Sequence, residues 1–178
     1  MIAVRLATLG DAEVIGRHTS RIQQLHHDAL PSIFKLPSAD LFPPPKLAAL
    51  IQQPNCIVAV AEIGGKVVGH LYGALVNRAE NEFNPAESYL YIYQIGVDDD
   101  ARRQGAGTAL ITFIRDRARA LGVTALQVDH WAFYARAGDF FPACGFSPTK
   151  VMMRQALDDG SSGSNPPPNK APTPRSRP

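Results

Sequence analysis

The chain has 178 residues, 45% of them hydrophobic and 19% charged, enough for one domain with a single sizeable core. A net charge of +2 excludes nucleic acid as the main partner, and no apolar run reaches the ~18 residues that a membrane helix needs. Two cysteines, Cys56 and Cys144, exclude a disulfide framework, and no Cys/His spacing suits structural zinc.

The opening MIAVRLATLGDAEV lacks the charged-then-apolar pattern of a secretory signal, so a cytoplasmic location is expected. Val4–Leu6 reads as a short strand. Thr8 followed by Asp11 is a helix-capping pattern, and Ile15, Ile22, Leu25 and Ala29 then recur at helical spacing up to Pro31. Residues 31–45 are a proline-broken loop, and Lys46–Gln52 is a short helix with Leu47, Leu50 and Ile51 on one face. The period then changes. Cys56–Ala61 and Val67–Val76 are strands joined by a Gly64-Gly65 turn, and Tyr89–Val97 is a third strong strand. From Gln104 onward, Ala109, Leu110, Ile111, Ile114, Ala118 and Leu121 form a helical stripe that stops at Gly122. Thr124–Trp131 returns to strand, Tyr134–Ala143 is a short helix, and Phe146–Met153 is a closing strand. The fold class expected is therefore α+β, a mixed α/β sheet flanked by helices. From Asp158 the sequence is rich in Pro, Ser and Gly without apolar periodicity, so 158–178 is expected to be a disordered tail after a domain spanning 1–157.

The stretch richest in chemistry is VDDDARRQGAGTALI, Val97–Ile111. A strand ends, a polar turn follows, and a Gly-rich turn opens a helix. Such a turn leaves several backbone N–H groups unpaired at the positive end of the helix dipole, which makes an anion site. Gly105 and Gly107 allow close approach of a phosphate, and Arg102 and Arg103 add donors at the rim. The plain alternative is a helix start with packing glycines and solvated arginines. The P-loop pattern is absent, since no Lys-Ser or Lys-Thr follows the glycines. A dinucleotide fingerprint fits poorly, because Leu110 stands in place of the third Gly; Asp129 lies at a tolerable distance for a ribose-binding acid.

Arg102-Arg103-Gln104-Gly105-Ala106-Gly107, after a strand ending in Val97, resembles the [Arg/Gln]-x-x-Gly-x-[Gly/Ala] motif of the GNAT superfamily of N-acetyltransferases. The downstream runs His130–Ala137 and Phe140–Phe146 are similar to a second stretch common in that family, and the element order matches over roughly residues 1–156. The resemblance implies a single GNAT-like domain. Its twisted sheet would be mostly antiparallel, of about six to seven strands, splayed between the fourth and fifth. It also implies acetyl-CoA as acyl donor and no metal. The pyrophosphate would rest on the turn, with Arg102, Arg103, Gln104, Gly105, Ala106, Gly107 and Thr108 as cofactor-binding residues. The pantetheine arm would pair with Ile95–Val97 like an added strand, with Tyr134 also against the cofactor.

Two positions depart from the family pattern. Tyr134 stands where Asn is frequent, and Phe141 stands where a Tyr usually protonates the departing thiolate. Tyr134 or water is then the candidate acid, a role eased by a thiol pKa of ~8.5. Relatives often carry a carboxylate near Tyr91-Ile92-Tyr93-Gln94, where this chain has none. The candidate bases are His130, whose imidazole has an ordinary pKa of ~6.5, or a water held by a tyrosine, here Tyr93. A core histidine satisfied by a hydrogen bond is the bland alternative for His130. Tyr89, Tyr91 and Tyr93 alternate on one strand face and either line an acceptor pocket or pack the sheet. Phe34 is a candidate pocket wall. His26 and His27 point to different helix faces, which argues against a metal pair. The reading is N-acetyl transfer to a primary amine of a small molecule. The alternatives are a non-catalytic CoA-binding or regulatory domain, or a protein N-terminal or lysine acetyltransferase. No nucleic acid or membrane partner is expected, and a homodimer is left open.

Overall fold

Strand β1 (Ile2–Leu6) is the edge of a five-stranded sheet of order β1-β2-β3-β4-β5, with β2 at Cys56–Ile63, β3 at Lys66–Arg78, β4 at Glu87–Val97 and β5 at Leu126–Val128. The described residues also form four α-helices: α1 (Ala12–Ala29), α2 (Pro44–Gln52), α3 (Ala106–Ala120) and α4 (Ala135–Ala143). The computed structural model describes residues 1–38 and 43–157. The expected disordered tail, 158–178, lies outside the described residues. The chain divides into two compact units, Met1–Asp129 and the residues from His130 onward.

Local chemistry explains most boundaries. Ahead of α1, the Asp11 carboxylate accepts the Thr8 N–H (2.7 Å) and hydroxyl (2.9 Å), as the capping pattern predicts. Arg5 of β1 donates to both Asp11 oxygens (2.7 and 2.9 Å) and to Glu62 of β2 (2.9 Å), tying the helix entry to two strands. The β2–β3 hairpin turns at Gly64 and Gly65, with φ of +58° and +78°, as a tight primed turn requires. Pro43 precedes α2 and Pro44 opens it, where a missing N–H costs nothing.

The first three strand pairs are antiparallel and the last, β4 with β5, is parallel through the α3 crossover. Consecutive residues of β3 show the layering. Tyr72 packs with the cluster of Ile15, Leu47, Val58 and Val60 under α1 and α2. Gly73 faces α3, where an added Cβ would lie 3.2 Å from Ile114 and 2.9 Å from Leu90. The central run Val68–Leu71 is buried on both faces. Leu71, Leu90, Leu110, Ile111 and Ile114 are fully buried, each stabilising by about 1.5–3 kcal/mol.

Among the described residues the sheet has five strands, not six or seven. Residues 146–153 form no strand: Pro148 interrupts the stretch, and Val151, Met152 and Met153 are exposed. β5 is shorter than the expected 124–131, and His130 lies beyond its end.

Candidate active site

The turn between β4 and α3 is built from backbone. A short 3-10 segment, Asp99–Ala101, ends the strand. Arg102 N–H reaches the Asp99 carbonyl (3.4 Å), and the next backbone bond is made by Ala109 N–H to Gly105 O (2.9 Å). Between them, the N–H groups of Arg103 to Thr108 donate no backbone hydrogen bond among the described residues. Arg103 has φ +59° and Gly105 φ +93°, a left-handed kink that gathers successive N–H groups into a concave nest. Gly105 cannot be replaced cheaply, because its φ is left-handed and an added Cβ would sit 3.3 Å from Ile2. Arg103, Gln104, Gly105 and Thr108 are exposed, Gly107 is half-buried, and Ala106 is buried against the core. The positive end of the 15-residue α3 dipole lies here.

The two arginines differ. Arg102 is ion-paired with Asp99 and donates to Val97 O (3.4 Å), so it braces the turn. Arg103 is exposed and has no side-chain partner among the described residues. Asp98 is paired with Arg21 (2.5 Å), so Asp98 and Asp99 are both neutralised beside the turn.

The open edge of β4 adjoins the turn. The β4–β5 ladder covers only Leu90–Ile92 against Leu126–Val128, whereas β4 continues to Val97. At that point β4 also carries a bulge: Gly73 opposes Ile92 and Tyr72 opposes Gln94, leaving Tyr93 as the extra residue. Past the bulge, Asp98 N–H donates to Val68 O (2.8 Å) on the β3 side. Strand alternation then turns the N–H groups of Val97 and Ile95 toward the side that β5 has vacated. An extended chain can add there with backbone-like hydrogen bonds.

The bulge puts two consecutive side chains on one face. Tyr93, 55% exposed, stacks on Tyr72 (5.2 Å) and meets Tyr91 edge-on (4.8 Å). Gln94, its neighbour, meets Thr19 of α1 (2.9 Å) and His70 of β3 (2.8 Å) on the same side of the sheet. Burial raises the Tyr91 phenol to about 12, helped by its hydrogen bond to Asp129, and burial together with Cys56 raises Tyr72 similarly to about 12. Both remain neutral donors at ordinary pH.

Behind Gln94 runs a buried polar chain that strand and helix patterns did not reveal. His70 is fully buried and His18 is 5% exposed; their Nδ1 atoms are 3.2 Å apart. His18 Nε2 lies 3.1 Å from Asp98. Burial lowers both imidazoles, His70 to about 4. One available signal was His70 itself, an ionisable residue inside the apolar run VVGHLYGALV, which must have found a partner.

In the second unit, His130 is exposed, stacks on Phe141 (6.0 Å), and has Nδ1 3.3 Å from the Trp131 carbonyl. An Nδ1–H donated to that carbonyl leaves Nε2 with its lone pair. Phe141 is buried with Phe140 and Phe146 around it. Tyr134 caps α4, its carbonyl accepting Ala137 N–H (3.0 Å). Phe34 is held at the end of α1, stacked on His26 (4.7 Å) with its carbonyl 2.7 Å from His27 Nδ1.

Solved structures share this fold. The model of the acetyltransferase (GNAT) family matches residues 20–146. L-2,4-diaminobutyric acid acetyltransferase of Nocardia farcinica is 38% identical over 68 residues, 38% of this chain; the match spans about a third of that relative's length (32%). A point-mutant BH1408 protein of Bacillus halodurans has TM-score 0.83 at 24% identity, covering 87% of this chain and 99% of that one. An aminoglycoside 6'-N-acetyltransferase of Acinetobacter baumannii has TM-score 0.66 at 15% identity, over 90% of this chain and 100% of that one. The structures share the fold, and the family match covers well over half of the sequence. The chain belongs to the GNAT family of acetyltransferases.

Proposed function

We propose that the protein transfers acetyl from acetyl-CoA to a primary amine of a small molecule. The observation that carries this is the nest of free N–H groups at Arg103–Thr108 beside an unpaired β4 edge. The diphosphate of CoA suits the nest, with Arg103 at its rim and Arg102, Gln104, Gly105, Ala106 and Gly107 shaping it. The pantetheine arm suits Ile95 and Val97 as an added strand, with Tyr134 a further contact. Acetyl-CoA, when bound, supplies the activated acyl group. No metal enters the chemistry proposed.

Catalysis is then mainly positioning. An ammonium must lose a proton before its nitrogen can attack the thioester carbonyl, and the departing thiolate must gain one. His130, through Nε2, or a water held by Tyr93 takes the amine proton, and Tyr134 or water protonates the thiolate. A strand-end N–H polarises the thioester oxygen. The relative named for diaminobutyric acid and the neighbours named for aminoglycosides support a small amine over a protein N-terminus or lysine.

Phe141, buried and without a proton to give, favours a second reading, a CoA-binding domain that does not turn over. Thiol release from acetyl-CoA across a panel of diamines, aminoglycosides and peptides separates the two. Acetyl transfer predicts amine-dependent release, reduced at least tenfold by His130→Ala if that residue is the base. CoA binding without release for every amine supports the second reading.

A further inference from the structure

Asp98, His18, His70 and Gln94 form one hydrogen-bonded file, from the strand end beside the turn to the bulge on β4. Thr19 and Arg21 close its two ends, at 2.9 Å from Gln94 and 2.5 Å from Asp98. The second atom of the Gln94 side-chain amide makes no hydrogen bond among the described residues. No buried side-chain polar atom there lacks a partner, so this atom reaches solvent. It does so beside Tyr93, on the part of β4 that β5 has left.

Proton counting restricts the file to two arrangements. The Asp98 carboxylate only accepts, so His18 Nε2 must carry a hydrogen. When both imidazoles are neutral, His18 Nδ1 is a lone pair and His70 Nδ1–H donates to it. His70 Nε2 then accepts, and only the amino end of Gln94 can face it, leaving the Gln94 carbonyl outward. When one proton is added, His18 donates from both nitrogens, His70 accepts at Nδ1 and donates from Nε2, and the Gln94 oxygen turns inward. The Thr19 hydroxyl serves either arrangement, because it both accepts and donates. The Gln94 oxygen lies toward His70 and Thr19 in the structure, which is the amide orientation of the second arrangement and says nothing of where the protons sit. An end-for-end rotation of the amide exchanges the two arrangements without moving other heavy atoms.

We propose that Gln94 contacts the acceptor amine through the outer end of its amide, and that Asp98, His18 and His70 are positioning residues that choose which end is outward. In the neutral file the outward carbonyl accepts an N–H from the amine, as ammonium or as free base, and keeps its lone pair directed while the proton leaves. One proton on the file reverses the amide, presents an NH2 group, and repels the ammonium. The groups facing the pair are Asp98 at the end of β4, Arg17 and Arg21 of α1, and Thr19 and Gln94. Burial of both rings favours the neutral file near neutrality. This rests on the proposed acetyl transfer, with the pantetheine arm along the open β4 edge and the amine on the sheet face that carries Tyr93 and Gln94.

Long-range proton–nitrogen spectra of the histidine rings in the full chain test the proposal without any substrate. At pH 8 the expected forms are Nε2–H for His18 and the less common Nδ1–H for His70. Acidification should add one proton to His18 and convert His70 to the Nε2–H form in the same step. A His70 that stays Nε2–H from pH 5 to 9 overturns the proposal. Gln94→Leu should raise the amine KM about tenfold, the worth of one hydrogen bond, with the acetyl-CoA KM unchanged. An unchanged amine KM also overturns it. The ring spectra read out even if no amine is turned over, so failure of acetyl transfer and failure of this file are told apart.

Discussion

Single side chains here owe their behaviour to partners distant in sequence. Asp11 is nearly covered, and the Arg5 guanidinium beside it holds its carboxyl at about 2. A folded value below the unfolded ~3.9 means stability that is present above pH ~4 and drains away as pH falls toward 2. Asp11→Asn should therefore cost about 1–2 kcal/mol at pH 7, below the full linkage value because Arg5 is 40% exposed and solvent screens the pair. Urea unfolding of both proteins from pH 7 to 2 checks this: the two should converge near pH 2, and a constant gap would assign the loss to packing instead. The Thr8–Asp11 cap was legible because its partners are three residues apart. The pairing of Asp11 with Glu62 through Arg5 was not, since Glu62 lies on another strand. The same holds for His18 and His70, 52 residues apart, which only the fold brings to 3.2 Å.

At the scale of elements, hydrophobic period and turn glycines placed all five strands and all four helices found among the described residues, with ends displaced by a few residues, and added a sixth strand that is not there. The Phe146–Met153 stretch misled because Pro148 interrupts it and its apolar side chains Val151, Met152 and Met153 stay exposed; propensity without pairing does not make a strand. The Gly-rich turn was legible because its geometry is local: a strand end, a left-handed kink and a helix start all lie within Val97–Ala106. The bulge at Tyr93 was not, because a bulge is a property of two strands in register. It aims Tyr93 and Gln94 to one face, where strict alternation would part them. Gly107→Glu places a carboxylate at the first turn of α3. It should weaken CoA binding at least 100-fold in calorimetry while leaving helix content by circular dichroism unchanged. Undiminished affinity would remove the turn from the site.

For the whole molecule, the family match covers both compact units, with the nest, the open strand edge and the tyrosine cluster in the first and His130, Tyr134 and Phe141 in the second. No helix among the described residues is long and apolar enough to cross a membrane. The sequence carried the family through two motifs, but the Gln94 file draws on side chains from α1, β3 and β4 that converge only on folding. We propose that main-chain N–H groups at the start of α3 bind the diphosphate of CoA. Titrating the nitrogen-15-labelled full chain with CoA measures it directly. The account predicts that the amide resonances of Arg103 to Thr108 move most and saturate together with bound CoA. Saturable CoA binding that leaves those six amides unmoved would contradict it.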